Sequence, residues 1–426
     1  MATEGSTSQG GSSSGLLRVL RNPNFARLWI GSLTSAAGTA IGSIIVIWLV
    51  YSATKSALAI SVLGIVQFLP TLVFGLLAGA LIDRLDRRRL MVTCDVARAV
   101  AFGGLAVYVL LYGVSVVTLI GAVFLVATFS TIFRPATNAA IPRILPSEDL
   151  ADGNGLLQGG STIAQFVGTP LGGLILLALG ATVGFAINAL TFAVSGVMIF
   201  LMVIGPGAVH PPGPEPRQSL LRDVGDGLRY LRSKRVLLVI TLTAMGANFF
   251  LSIFGGFTVI YAAVALHQGA TGYAILVAAG TAGFAIGAIL PGRLHLDRAP
   301  GIWVPIVWGA SGFFIAALVW THALLVAVPL VLAVGATISI GNTTWLSGVQ
   351  REVPDELMGR FFATDEAGSY AMIPAGLAIG GVLVVLFGIG WTYLFAGVGA
   401  TLMSLPLILS PGVRAWGRSR PRALPP

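Results

Sequence analysis

Long apolar runs, broken only by charges or turn residues, limit what this chain can fold into more than any other feature. Twelve can be read along it: 26–50, 57–82, 90–112, 115–140, 155–179, 182–204, 236–264, 271–290, 303–320, 323–348, 361–388 and 391–410. A helix that crosses a bilayer needs about 20 mostly apolar residues, so twelve crossings need about 240. With 56% hydrophobic residues in 426, the chain carries that supply. Charged residues are only 10%, against about 25% in soluble domains. Too little polar surface remains to hold such a chain in water. The composition excludes a soluble enzyme, a nucleic-acid-binding domain and a disordered chain. The expected fold is an all-α membrane protein with twelve transmembrane helices. The single cysteine, Cys94, permits neither an internal disulfide nor a multi-cysteine metal site, and reads as a small buried apolar residue.

The charges are distributed as unevenly as they are scarce. Of the 25 Lys and Arg, 24 fall in the connections after spans 2, 4, 6, 8 and 10, in the termini or near the adjoining helix ends; only Lys55 falls on the other side. All 16 Asp and Glu lie on or near that same side. Basic residues mark the cytoplasmic face of a membrane protein. Both termini are therefore expected in the cytoplasm of a multi-pass cell-membrane protein. The net charge of +9 reflects this sidedness rather than a nucleic-acid-binding face. No cleavable signal peptide is evident, and residues 1–15 read as a Gly/Ser/Thr-rich tail.

The longest connection, 205–235, opens with Gly205-Pro206-Gly207 and Pro211-Pro212-Gly213-Pro214. It continues with Leu220, Leu221, Val224, Leu228 and Leu231 at helical spacing, which suits a helix lying on the inner leaflet or a plain linker. On either side of it a unit repeats. Arg143, Pro146 and Glu148 recur as Arg351, Pro354 and Glu356, each 208 residues later, and Gly172-Gly173 recurs as Gly380-Gly381. The expected organisation is a tail over 1–20, a six-helix bundle over 21–204, the linker over 205–235, a second six-helix bundle over 236–410 and a tail over 411–426. Parallel repeats of this kind enclose a cavity that opens to alternate sides.

After the second span stands Gly79-Ala80-Leu81-Ile82-Asp83-Arg84-Leu85-Asp86-Arg87-Arg88-Arg89. It resembles the G-x-L-x-D-R-x-x-R-R loop of the major facilitator superfamily, except that Asp86 stands where many members carry Gly. The resemblance implies a cytoplasmic gate formed by Gly79, Asp83, Arg84, Arg87 and Arg88, with the Asp capping the start of span 11. A carboxylate at a helix N-terminus and Arg forks on carboxylates both suit that task. Leu20-Arg21-Asn22-Pro23-Asn24-Phe25-Ala26-Arg27-Leu28-Trp29, Phe133-Arg134-Pro135-Ala136 and Asp226-Gly227-Leu228-Arg229-Tyr230-Leu231-Arg232 resemble the macrolide-efflux and enterobactin-exporter branch, whose members are drug:proton antiporters. In span 5, Gly168, Pro170, Gly172 and Gly173 resemble the Gly-Pro-x-x-Gly-Gly element of antiporters, with Thr169 inserted. A small-residue packing face is the other reading of that segment.

Coupling to protons lacks an obvious carrier. Span 1 of this branch usually holds a Gly-Asp pair, and this chain has Gly38-Thr39. The acids nearest the membrane interior are Asp95, Asp365 and Glu366, expected only about 6–8 Å inside their helix starts. Asp95 and Arg98 can share a helix face; Asp365 and Glu366 can meet Arg84, Arg87, Arg98 or Arg134. These groups form either an inner-gate salt-bridge cluster or a proton-sensitive latch. The resemblance places spans 1, 4, 7 and 10 around the cavity. Its candidate lining is Gln67, Asn248, Phe249, Phe250, Phe254, Asn342 and Trp345, with Gln165 and Tyr370 from spans 5 and 11. Such a lining suits a small amphiphilic or apolar substrate, though each aromatic can equally be packing.

No phosphate-cradling loop, HExxH pair or Ser/His/Asp grouping stands out, so neither enzyme activity nor a cofactor or metal is expected. The reading is a monomeric exporter of a small molecule (a drug, macrolide or siderophore-like compound), held in lipid, with protons as coupling ion and no nucleic-acid partner. A proton-coupled uptake porter, an energy-independent facilitator and a non-transporting sensor are the alternatives.

Overall fold

A computed structural model describes residues 18–203 and 228–416, apart from the side chains at 75–84, 297, 355, 356, 359, 360, 363, 366, 367 and 370. The described backbone is helical, without a strand. Ten long helices follow one another: α1 Pro23–Thr54, α2 Ala57–Arg84, α3 Arg87–Tyr112, α4 Val116–Ile144, α5 Leu150–Phe200, α6 Arg235–Ile260, α7 Ala270–Leu294, α8 Pro300–Ala317, α9 Leu324–Glu352 and α10 Asp355–Met403. Short helices α11 (Leu405–Leu409) and α12 (Pro411–Ala415) close the chain. A π-helical turn, Tyr261–Ala265, extends α6.

All ten contain a stretch long and apolar enough to cross a membrane. The count of twelve crossings survives because two helices are double length. α5 has 51 residues and α10 has 49, about 75 Å each at 1.5 Å per residue, against about 30 Å of hydrocarbon. Each breaks at a glycine: Gly180 (φ 80°, ψ 173°) and Gly388 (φ 79°, ψ 168°). That backbone region is open essentially to glycine alone, and it lets the chain turn back without a loop. The two glycines are again 208 residues apart, so the repeat seen in the sequence extends to the backbone geometry. Lys55 and His267, which follow α1 and the α6 turn, share the left-handed conformation (φ 51° and 54°).

Helix edges depart from the apolar runs in one systematic way. At the charged end the helices run past the last apolar residue: α4 to Ile144, α9 to Glu352, and α10 from Asp355. Backbone hydrogen bonding continues where hydropathy stops. α9 also passes Asn342 unbroken.

The helices form two compact units: residues 1–45 with 69–215, and 46–68 with 216–426. In the first, α3 packs mainly on α5 and α4. Its charged end is filled by Val19, Phe25, Leu28, Met91, Cys94, Ala136, Ile141, Ile199 and Met202. In the second, α7 packs on α9, α6 on α10, and α8 on both α9 and α10. The α7–α9 seam is backbone on backbone: a Cβ at Gly283 would stand 1.9 Å from the Leu332 carbonyl oxygen. Lipid supplies no hydrophobic drive for helices to associate, so close approach through small residues does that work. The second unit's core at the charged end gathers Leu231, Leu237, Ile240, Trp308, Val349, Phe361, Val413 and Trp416. Leu231, expected on the linker's apolar stripe, is thus buried against protein; Leu220, Leu221 and Val224 lie outside the described residues. Trp416 is likewise part of that core rather than of a tail.

Candidate functional site

The connection after α2 is short, and Asp86 explains why it can be. Asp86 is extended (φ −64°, ψ 117°) and its carboxylate accepts the Arg89 amide at 2.8 Å. It is the N-cap of α3, and an Asp there satisfies an amide that the helix leaves without a partner. The departure from glycine in the loop therefore has a local reason. Gly79, Asp83 and Arg84 belong to the last turns of α2, and their side chains lie outside the described residues. Arg87 opens α3 and is half-buried. Arg88 donates to the Phe200 carbonyl oxygen, with its guanidinium 5.0 Å from the Phe200 ring centre. Arg27 donates to Leu201 O at 2.7 Å, and Asn24 Oδ1 accepts the Val203 amide at 2.9 Å. Two cations on the last carbonyls of α5 complement the negative end of its dipole. So within the first unit Arg88 is a helix cap for α5.

Two turns beyond Arg88 on α3 lies an ion pair sealed from solvent. Asp95 and Arg98 are 0% and 3% exposed, and they bond directly to each other. Ser195 Oγ of α5 donates to Asp95 Oδ2 at 2.7 Å. Arg98 Nε donates to Cys94 O at 3.3 Å, and Ser130 Oγ stands 3.5 Å from Nη1. The Phe133 and Phe192 rings flank the guanidinium at 4.2 and 4.8 Å. Every neighbour belongs to the first unit. Arg98 is thereby engaged inside that unit, with Asp95 as its carboxylate.

The structure sets these groups farther from their helix starts than the apolar runs suggest. Asp95 is eight residues into α3, and Asp365 ten residues into α10, about 12 and 15 Å along the axis. Arg134 is ten residues before the end of α4. The helices begin before the apolar runs do, so the same residues lie farther along them. Asp365 is buried; the side chains of Glu366 and Tyr370 lie outside the described residues. Arg134 is exposed.

Gly168 and Gly172 form the packing face of α5 against α1. A Cβ at Gly168 would stand 2.6 Å from Ala37 O, and one at Gly172 would stand 2.8 Å from Ile41 O. Gly173 is buried too, and Pro170 sits inside the helix, ten residues before its break at Gly180. Among the cavity candidates, Gln67, Gln165 and Asn342 are exposed on their helices. Gln165 Nε2 turns back to Ser161 O at 3.3 Å. Asn248 is half-buried. Phe249 packs edge-on against Phe250 (5.0 Å), Phe250 against Phe395 (5.5 Å), and Phe254 against Tyr393 (5.5 Å). Trp345 meets Phe362 edge-on at 6.0 Å and rests on the core of the second unit. These aromatics make the α6–α10 and α9–α10 seams. Phe249, Phe250, Phe254 and Trp345 are half-buried, as Asn248 is.

Sequence reasoning passed over Ser195 and Asn188. Asn188 is fully buried; a Cβ at Gly42 would stand 2.2 Å from its Nδ2, and one at Gly38 2.6 Å from its Oδ1. The signal was present: Asn188 and Ser195, seven residues apart on one helix face, interrupt an otherwise apolar span.

The same architecture appears in known proteins. A nucleoside transporter, NupG in its D323A mutant form, superposes with a TM-score of 0.69 at 11% identity, covering 90% of this chain and 98% of that one. Macrolide efflux protein A of Streptococcus pyogenes is 22% identical over 379 residues, 88% of this chain and 92% of its own. Enterobactin exporter EntS of Citrobacter koseri is 24% identical over 361 residues, 84% of each. The family model described as transmembrane secretion effector matches residues 14–418. On that near-complete match, the chain belongs to the transmembrane secretion effectors, a family of major facilitator transporters.

Proposed function

We propose that this transporter exports a small amphiphilic molecule by proton-coupled antiport, with its charged end and both termini in the cytoplasm. Support for the direction comes from relatives along most of the chain, which are named as efflux proteins and exporters. The observation that carries the coupling is the sealed Asp95–Arg98 pair. An ionisable pair deep in a membrane helix is costly and marks a proton or ion path by default. The titratable groups around Asp95 among the described residues are Arg98 and Cys94 on its own helix, and Ser195 is the polar contact from α5. Exchange of one proton for one substrate across that pair needs no nucleotide and no metal. Asp365 with Glu366 is the second place for the same role.

The test is flux of the fluorescent amphiphile Hoechst 33342 in proteoliposomes under an imposed pH gradient. Export predicts that vesicles with an acidic interior accumulate the dye through the outward-facing cytoplasmic side. Ser195→Ala should displace the pH profile of the rate more than its maximum. Asp365→Asn with Glu366→Gln should leave the profile in place. Dye movement indifferent to the gradient would make the protein a facilitator, and movement with the protons would make it an uptake porter.

A further inference from the structure

α4 has two faces of opposite character. Phe133, Ala136, Thr137, Ala140 and Ile141 are buried in the first unit. Arg134 and Asn138, one turn apart, are exposed on the other side. Thr131, a turn earlier, meets Thr71 of α2 at 3.1 Å. Arg134 lies six residues inside the apolar run 115–140, about 9 Å from its charged edge. A guanidinium at that depth cannot face hydrocarbon without a large cost, so this face of the first unit borders water.

The described carboxylates of the first unit do not neutralise it. Asp95 is sealed with Arg98 and Ser195. Glu148 and Asp149 pair with Arg18. Asp86 caps α3, and Asp152 stands in the first turn of α5. Arg134 makes no ion pair among the described residues. It is a fixed cation, always charged, with a planar fork that matches a carboxylate, and it has the Asn138 carboxamide beside it as a second polar partner.

We propose that Arg134 recognises an anionic group on the transported molecule, so that the substrates include amphiphiles bearing a single carboxylate. This adds a cation to the uncharged lining candidates named from the sequence, narrows the amphiphilic substrate to an anionic one, and rests on the transporter reading above. Equilibrium binding tests it independently of flux direction and proton coupling. Full-length protein in nanodiscs of zwitterionic lipid is titrated with pyrenebutanoate and with its neutral amide, followed by pyrene fluorescence. The wild type should bind the acid at least tenfold more tightly than the amide. Arg134→Gln should erase that preference and leave amide binding unchanged, and Arg134→Lys should keep part of it. Wild-type protein that binds both probes equally, or neither, overturns the assignment. So does Arg134→Gln weakening both alike, which would mark Arg134 as a gate or packing residue. Should Arg134→Gln not fold, the wild-type ratio and the Arg134→Lys ratio decide. A failure of the export reading appears only in the flux assay and leaves these ratios as they are.

Discussion

The Asp95–Arg98 pair makes the most discriminating stability prediction. Asp95→Asn keeps the shape and the Ser195 contact but leaves the Arg98 guanidinium charged, 3% exposed and between two phenyl rings. Two unit charges about 4 Å apart attract by about 4 kcal/mol at the effective dielectric of partly buried sites. Stranding one partner of a buried pair costs about 3–5 kcal/mol. The flanking rings attract the guanidinium by about 2 kcal/mol each at such a desolvated site, but they do so before and after the substitution and do not offset the loss. Asp95→Asn should therefore lower the free energy of unfolding by about 3–5 kcal/mol. Replacing both charges, as Asp95→Leu with Arg98→Met, removes the stranded ion and should recover most of that loss. Unfolding by SDS in mixed micelles, followed by tryptophan fluorescence, gives both values and their coupling energy. A loss below about 1 kcal/mol for Asp95→Asn, the size expected of a hydrated surface pair, would refute the idea that the pair is sealed. A double variant as unstable as the single would refute charge balance as the cause.

Three further outcomes follow from the packing. Gly172→Ala should cost about 1–3 kcal/mol, because its Cβ would press on the Ile41 backbone; Gly104→Ala, with open space around it, should be neutral or slightly stabilising in the same micelles. Gly388→Ala should cost about 1–3 kcal/mol, because φ 79° with ψ 168° is closed to a Cβ, read as a lower thermal midpoint in detergent. Asp86→Ala should cost about 1 kcal/mol as a lost cap, and Asp86→Gly only a few tenths, read from the same midpoint shift.

Much of the candidate site could be read before any coordinates. The charge map isolated one end of the helices, and Asp95 and Arg98 were placed on one face by their three-residue spacing. Arg88 was recognised as part of a loop motif, but not as the cap of α5, because its acceptor lies 112 residues away. The aromatic candidates meet the same limit. A Phe in the middle of a span looks the same whether it lines a path or fills a seam, and the ring partners of Phe250 and Phe254, which are Phe395 and Tyr393, lie far along the chain. Helix ends differ too: hydropathy ends where charges begin, whereas the hydrogen-bonded helix continues through them.

Local chemistry was enough to establish helices, membrane and a two-fold repeat, and to predict sidedness. Each follows from what a residue does alone or with neighbours a few positions away, since a bilayer forces every backbone amide into a helix and sorts charge by side. Which charges are sealed and which remain open depended on contacts between helices distant in the chain. Ser195 reaches Asp95 across 100 residues, and the small residues along α1 and α5 let the helices close. The contacts of α3 with α4 and α5 made Arg98 a buried partner and left Arg134, a similar residue by sequence, exposed.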